Sequence, residues 1–204
     1  GPLQPGQAVQ AVPGTDTNVP LWILGSSLYG AQLAAMLGLP YAFASHFAPA
    51  ALLQALEVYR SMFKPSAQQA APYAMAGLHV VAADTDEEAR RLFTSTQQQF
   101  TNMVRNRRGR LQPPIDDIDA YWTPQERVQA ESMLTYAIHG SAETVRRKLE
   151  DFIALTKADE LMIVSAIYDH AARLRSADNI SGYQPKNYKF HGASRAFPCY
   201  GASC

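Results

Sequence analysis

Four short apolar runs, separated by longer amphipathic stretches, constrain this chain more than any other feature. They are VPLWILG (19–25), YAFAS (41–45), YAMAGLHVVAA (73–83) and ELMIVSA (160–166). Each is too short for a helix and too uniformly apolar for a half-exposed strand, which is the pattern of strands buried on both faces of a parallel sheet. Helical patterns lie between them. SSLYGAQLAAMLGLP opens on a Ser-Ser N-cap, carries Leu28, Leu33 and Leu37 on one face, and is stopped by Gly38 and Pro40. Pro49 occupies the first-turn position of AALLQALEVYRSMF, where Leu52, Leu56, Tyr59 and Phe63 recur at spacings of three and four. Thr85 and Glu88 pair as a capping box at the head of a helix that runs to about Met103, and Thr123-Pro124-Gln125-Glu126 repeats that logic. Ser141 opens AETVRRKLEDFIALT, and DHAARLRS forms a short helix after the last apolar run. Strand followed by helix, four times over, predicts a parallel sheet with helical crossovers.

A closed (β/α)8 barrel needs eight strands and about 250 residues. Four strands left open expose two unpaired edges. The α/β pattern is therefore either a small open sheet or half of a TIM-type barrel, about four βα units. The Pro- and Gly-rich residues 1–20 read as a loop or linker, 21–176 as one domain, and 177–204, which lack periodicity, as a flexible tail. With 47% hydrophobic residues the domain can bury one sizeable core. Eighteen basic and 18 acidic side chains balance, removing the electrostatic case for nucleic acid or an acidic membrane. No apolar run approaches the ~18 residues that span a bilayer, so a soluble protein is expected. Neither a signal peptide nor an initiator Met is visible, so the chain reads as processed or as a fragment. Cys199 and Cys204, both in the tail, make neither a disulfide framework nor a zinc site, and a reducing cytoplasm fits them.

Gly25 lets the backbone turn as the first strand ends. Ser26 and Ser27 then place hydroxyls and backbone N–H groups at a helix N-terminus, where the dipole favours an anion. This is either a phosphate cradle or ordinary capping. It is not a Walker loop or a G-x-G-x-x-G fingerprint, and Tyr29 stands where a nucleophile elbow needs glycine. Among the histidines, His46 follows the second strand at the end where barrel active sites assemble. It is a candidate acid/base or ligand contact, or a loop histidine bonded to backbone. His79, amid apolar neighbours, reads as a satisfied core residue. Asp169-His170 follows the fourth strand, with Asp169 as a helix cap; His139 precedes a cap and His191 lies in the tail. No pair has metal-ligand spacing. Arg105, Arg107, Arg108 and Arg110 form a basic patch followed by Asp116, Asp117 and Asp119, the composition of a solvated loop, with Tyr121 and Trp122 packed beneath it.

PLWILGSSLYGAQLAAMLGLPYAFASHFAPAAL resembles the bacterial luciferase-like monooxygenases, flavin-dependent (β/α)8-barrel enzymes. The likeness continues through YAMAGLHVVAADTDEEARRLF, HGSAETVRRKLEDF and ADELMIVSAIYDHAARLRS, and covers roughly residues 5–176. It corresponds to the second half of the barrel; the tail matches nothing in the family. The resemblance implies that the loop after the first strand holds the flavin phosphate, on Gly25, Ser26 and Ser27 and, further along, Leu28, Tyr29 and Gly30. It implies reduced FMN supplied by a flavin reductase, with dioxygen, oxidising a small organic substrate such as an aldehyde; relatives use a deazaflavin instead. Ser45, His46 and Asp169 would border the reaction space, with His46 the one catalytic candidate, and no metal is called for. The partner would be a missing N-terminal half or a second copy. Two rival expectations stand: a catalytically inactive half-barrel scaffold that oligomerises, and an unrelated open phosphate-binding domain with a doubly wound sheet.

Overall fold

The computed structural model describes residues 5–9, 12, 14, 17, 19–107, 109–181 and 189–192. Strand β1 (Ile23–Gly25) leads into helix α1 (Leu28–Leu37), and β2 (Tyr41–Phe43) into a short 3-10 turn and α2 (Leu52–Met62). The long strand β3 (Ala74–Ala83) is followed by α3 (Asp86–Val104) and α4 (Pro124–Met133). Strand β4 (Ile138–Ser141), α5 (Ala142–Thr156), β5 (Glu160–Val164), α6 (His170–Ser181) and β6 (Lys189–Gly192) complete the order. The four expected strands are β1, β2, β3 and β5. They lie side by side in chain order, all parallel, without the order reversal of a doubly wound sheet. This progressive winding is that of a barrel, carried half-way round.

Alternation along the strands decides which side is the core. Tyr41, Phe43, Ala76, Leu78, Leu161 and Ile163 pack under α1, α2 and α5 with Ala34, Leu52, Leu56 and Leu149, all within one buried cluster. Tyr59 anchors this layer, its hydroxyl lying 2.9 Å from the Leu39 carbonyl and accepting the Tyr73 N–H at 3.0 Å. On the opposite face β1 and the middle of β5 are uncovered, with Leu24 72% and Met162 38% exposed, whereas His79 of β3 is buried. That uncovered face is the one a complete barrel turns inward. A second core forms around the far end of β3, where Val81 and Ala83 meet Leu92, Phe93 and Phe100 of α3 together with Trp122 and Ala130.

Two strands were not legible. β4 reads as a polar prelude to a helix cap, yet the end of β3 extends beyond its pairing with β2 and β5, and Ile138–Ser141 pairs with Val80–Ala83. The Asp86 carboxylate fixes this junction, accepting the Ser141 N–H at 2.7 Å and bonding the Thr144 hydroxyl at 3.2 Å. His139 thus sits in a strand, stacked on Phe93 at 4.6 Å. Beyond Ala177, α6 continues to Ser181, and β6, which includes His191, pairs parallel with β5. Cys199 and Cys204 lie outside the described residues. The described residues among 1–20 contain no helix or strand.

Helix starts follow the local code in most places. Thr123 and Glu126 form a reciprocal capping box; Thr85 and Ser141 each accept the N–H three residues on. The start of α1 departs from it, as does that of α2, where Ala51 offers no side-chain cap.

Candidate functional site

Ser27 holds the N-cap position of α1 with extended backbone (φ −145°, ψ 168°), but its hydroxyl makes no capping bond, and the first turn contains no acidic residue. The first-turn N–H groups of α1 therefore lack the side-chain partner that a helix start ordinarily has. Ser26, Ser27 and Tyr29 are exposed, Leu28 is half-buried against the core, and Gly30 is buried. The turn is tight because two glycines meet: a Cβ on Gly30 would lie 3.3 Å from the Gly25 Cα and 3.4 Å from the Tyr41 ring. The Tyr41 hydroxyl donates to the Ser27 carbonyl at 3.1 Å, and burial pushes its pKa up to about 12, so it remains a donor. Uncapped amides, a free hydroxyl, a positive dipole end and no nearby carboxylate fit an anion of phosphate size.

Register places a second feature at the same end of the sheet. Gly25, Phe43 and Ala76 are neighbours across β1, β2 and β3, and the Ala44 N–H continues the ladder to the Gly25 carbonyl at 2.9 Å. The chain then turns over β3. His46 lies flat against Gly77, where a Cβ would come 2.5 Å from its Nδ1, so any larger residue displaces the ring. His79 follows on the same face of β3, its ring edge-on to His46 (centroids 5.8 Å) and to Phe100 (5.5 Å). Together with Phe47 they floor a cleft of about 520 Å³, whose wall is Gln99, Phe100, Asn102 and Met103 of α3 and whose rim is Arg107, Gly109, Arg110 and Gln112. Two strand spacings, about 10 Å, separate β1 from β3.

The cleft floor is polar without being charged. The Nδ1 atoms of His46 and His79 are buried and have no partner. Burial pushes the His79 pKa down to about 4, with His46 adding repulsion, and burial also lowers that of His46. Both rings are neutral at neutral pH, each with one N–H and one lone pair.

Several expectations change. His79 is buried and its ring is held by backbone groups of Val164 and His46, as a core residue's would be, but it also lines the cleft, and its Nδ1 has no partner. Ser45 does not border the reaction space: it is buried, and its hydroxyl donates to the Gly77 carbonyl at 2.5 Å. Asp169 caps α6 by accepting the Ala172 N–H at 2.7 Å, and His170 is exposed with Nδ1 2.8 Å from Arg173. Of the arginine-rich segment, Arg107 and Arg110 are exposed, as in a solvated loop, Arg108 lies outside the described residues, and Arg105 is pinned. Arg105 forks onto Glu126 at 2.7 and 2.8 Å and also donates to the Tyr121 carbonyl at 2.7 Å. The Tyr121 hydroxyl donates to Asn102, and the buried Trp122 ring donates to Asp119. Thr94 and Gln98 hold the following stretch, accepting the Ile115 N–H and donating to the Pro113 carbonyl at 2.9 Å each. The α3 residues of the cleft were missed. Their one signal was a mixed stripe, polar Gln99 and Asn102 with apolar Phe100 and Met103 at helical spacing, on a helix whose Ser95, Thr96, Gln98 and Thr101 are all buried.

Among the described residues no three metal-ligating side chains cluster and no helix is long and apolar enough to cross a membrane. A family model described as luciferase-like monooxygenase matches residues 1–159. A luciferase-like monooxygenase of Escherichia coli (strain K12) is 49% identical over 172 residues, which are 84% of this chain and 51% of that protein. The solved structure of apo-MsnO8 superimposes with a TM-score of 0.68 at 28% identity, covering 87% of this chain and 54% of the other. That of the riboflavin lyase RcaE, solved with a modified FMN and riboflavin, gives 0.52 at 16% identity over 80% and 42% of the two chains, a likeness of fold. The chain spans about half the length of the curated relatives it matches.

Proposed function

The chain belongs to the luciferase-like monooxygenase family, and from that premise we propose that it is the phosphate-holding half of a flavin-dependent oxidoreductase that uses FMN. The uncommitted Ser27 hydroxyl, at a helix start free of carboxylates, carries this reading. When bound, reduced FMN delivered by a flavin reductase supplies the electrons with which dioxygen oxidises a small organic substrate. The Ser26 and Ser27 hydroxyls and the first amides of α1 hold the phosphate. Gly25 and Gly30 let the turn close beneath it, and Tyr41 locks the turn through the Ser27 carbonyl. Phe47, Phe100 and the two imidazoles exclude water from the neighbouring space. His46, the catalytic candidate, holds or passes a proton at Nε2, its Nδ1 being buried against Gly77.

Fluorescence titration tests the site. FMN is expected to bind more tightly than riboflavin, which lacks the phosphate, and Ser27→Asp is expected to abolish that preference in a folded protein. A deazaflavin that binds where FMN does not would change the cofactor and keep the loop. If no flavin binds a folded sample, the scaffold reading stands instead. The uncovered face with Leu24 and Met162 favours it, because a second copy or the other barrel half would bury those side chains; mass by light scattering distinguishes monomer from oligomer.

A further inference from the structure

The cleft above β3 has a chemistry that the phosphate loop does not explain. Its inner end is aromatic, with Phe100 and His79 edge to face and His46 edge-on beyond, and Phe47 and Met103 complete an apolar wall. At that end a histidine only 7% exposed has a buried ring nitrogen with no partner. That atom lies out of reach of the cavity, so the inner end offers aromatic surface, and a cavity of small-molecule size lined in this way takes an apolar body.

The outer end is cationic. Arg107 and Arg110 stand exposed on the rim, and neither has an ion-pair or hydrogen-bond partner for its guanidinium among the described residues. The surrounding carboxylates are already engaged: Asp116 by Arg91, Asp119 by Arg127 and Glu126 by Arg105. Asp117 accepts the backbone N–H groups of Asp119 and Ala120. Arginine forks at the mouth of an apolar slot match a carboxylate on an apolar body.

We propose that this cleft binds an amphipathic organic carboxylate, with its anionic group on Arg107 and Arg110 and its apolar body between Phe47, Phe100 and Met103, against the rings of His46 and His79. That this ligand is the substrate rests on the flavin-site reading; that it binds does not.

The probe is 4-phenylbutyrate, with 4-phenylbutan-1-ol as its uncharged counterpart, titrated by calorimetry against the full chain without flavin. The acid is expected to bind about tenfold more tightly than the alcohol, the order for charge-assisted hydrogen bonds at a wet rim. Arg107→Ala/Arg110→Ala, two exposed loop substitutions, should remove that preference and leave alcohol binding unchanged. His79→Phe keeps the aromatic surface and should leave both affinities within a few-fold. Equal affinity for acid and alcohol, or a preference that survives loss of both arginines, overturns the proposal. FMN and riboflavin form the second arm. If the arginines serve the flavin phosphate, the double variant loses the preference for FMN over riboflavin, and FMN displaces phenylbutyrate; that outcome also overturns the proposal. If flavin binding fails outright while phenylbutyrate binding shows the arginine dependence, the proposed function falls and the carboxylate cleft stands.

Discussion

The β1–α1 loop and the histidine cleft share one end of one sheet and are built in opposite ways. The loop is contiguous, exposed and polar; its binding groups are backbone amides and a hydroxyl that water can solvate, so leaving them open costs the fold little. The cleft is assembled from β2, β3, α3 and the segment after it, and it buries ring nitrogens that water does not reach. The loop can be read residue by residue. The cleft exists only because Gly77 lets the turn after β2 fold back over β3 and because α3 stands Phe100 against His79. The difference teaches where each is vulnerable: the loop to charge, the cleft to packing and protonation.

Charge in the loop should give the largest effect. Ser27→Asp places a carboxylate where the phosphate would sit, and FMN affinity should fall on the order of a thousandfold, as expected for like charges ~4 Å apart near a protein surface. His79→Phe should leave FMN affinity within a few-fold; a comparable collapse would merge the two regions into one site.

Protonation should affect the cleft and not the loop. Folding lowers the His79 pKa from 6.5 to about 4, so between these values the unfolded chain binds a proton that the folded chain does not. Stability should therefore fall as pH drops from about 6.5 through about 4, with His139, also lowered to about 4 by burial, adding to the slope. Thermal melts across that window should show a shallower slope in His79→Phe, and a slope unchanged by the substitution would mean that the ring is not desolvated in the folded protein.

The segment framing the cleft has its own acid limit. Hydrogen bonds from Arg105 and from the Thr123 amide hold the Glu126 pKa at about 2 against an ordinary 4.5. Its contribution is complete above the ordinary value and is lost as pH falls towards about 2. Arg105→Gln should raise the midpoint of acid unfolding, read by tryptophan fluorescence of the buried Trp122.

The smallest effect is the most discriminating. Thr123→Ala removes a real cap and should cost about 1 kcal/mol, whereas Ser27→Ala removes none and should leave stability to denaturant unchanged. If the two cost the same, the Ser27 hydroxyl caps α1 in solution and the loop loses its distinguishing feature.

Legibility in the sequence tracked how local each feature is. The apolar runs became β1, β2, β3 and β5, and Thr123-Pro124-Gln125-Glu126 became a helix start with both capping bonds. Strand β4 escaped because IHGS carries no apolar alternation; only the overhanging end of β3 and the Asp86 carboxylate make it a strand. The cleft escaped for the same reason, since nothing near Gln99 or Met103 in the chain indicates that His46 lies opposite. His79 is buried as its apolar neighbours indicated, but they could not show that the ring would also line a cleft, which depends on α3 and on the turn after β2.

What the sequence determined by itself was therefore the succession of strands and helices and the turn Gly25–Ser26–Ser27, because period, capping and turn chemistry act over a few residues. Only the tertiary structure decided which hydroxyl would be left unused, which imidazoles would meet and which arginines would find no carboxylate. Those outcomes depend on desolvation and on competition among groups distant in the chain, and no local pattern encodes who a side chain's competitors will be.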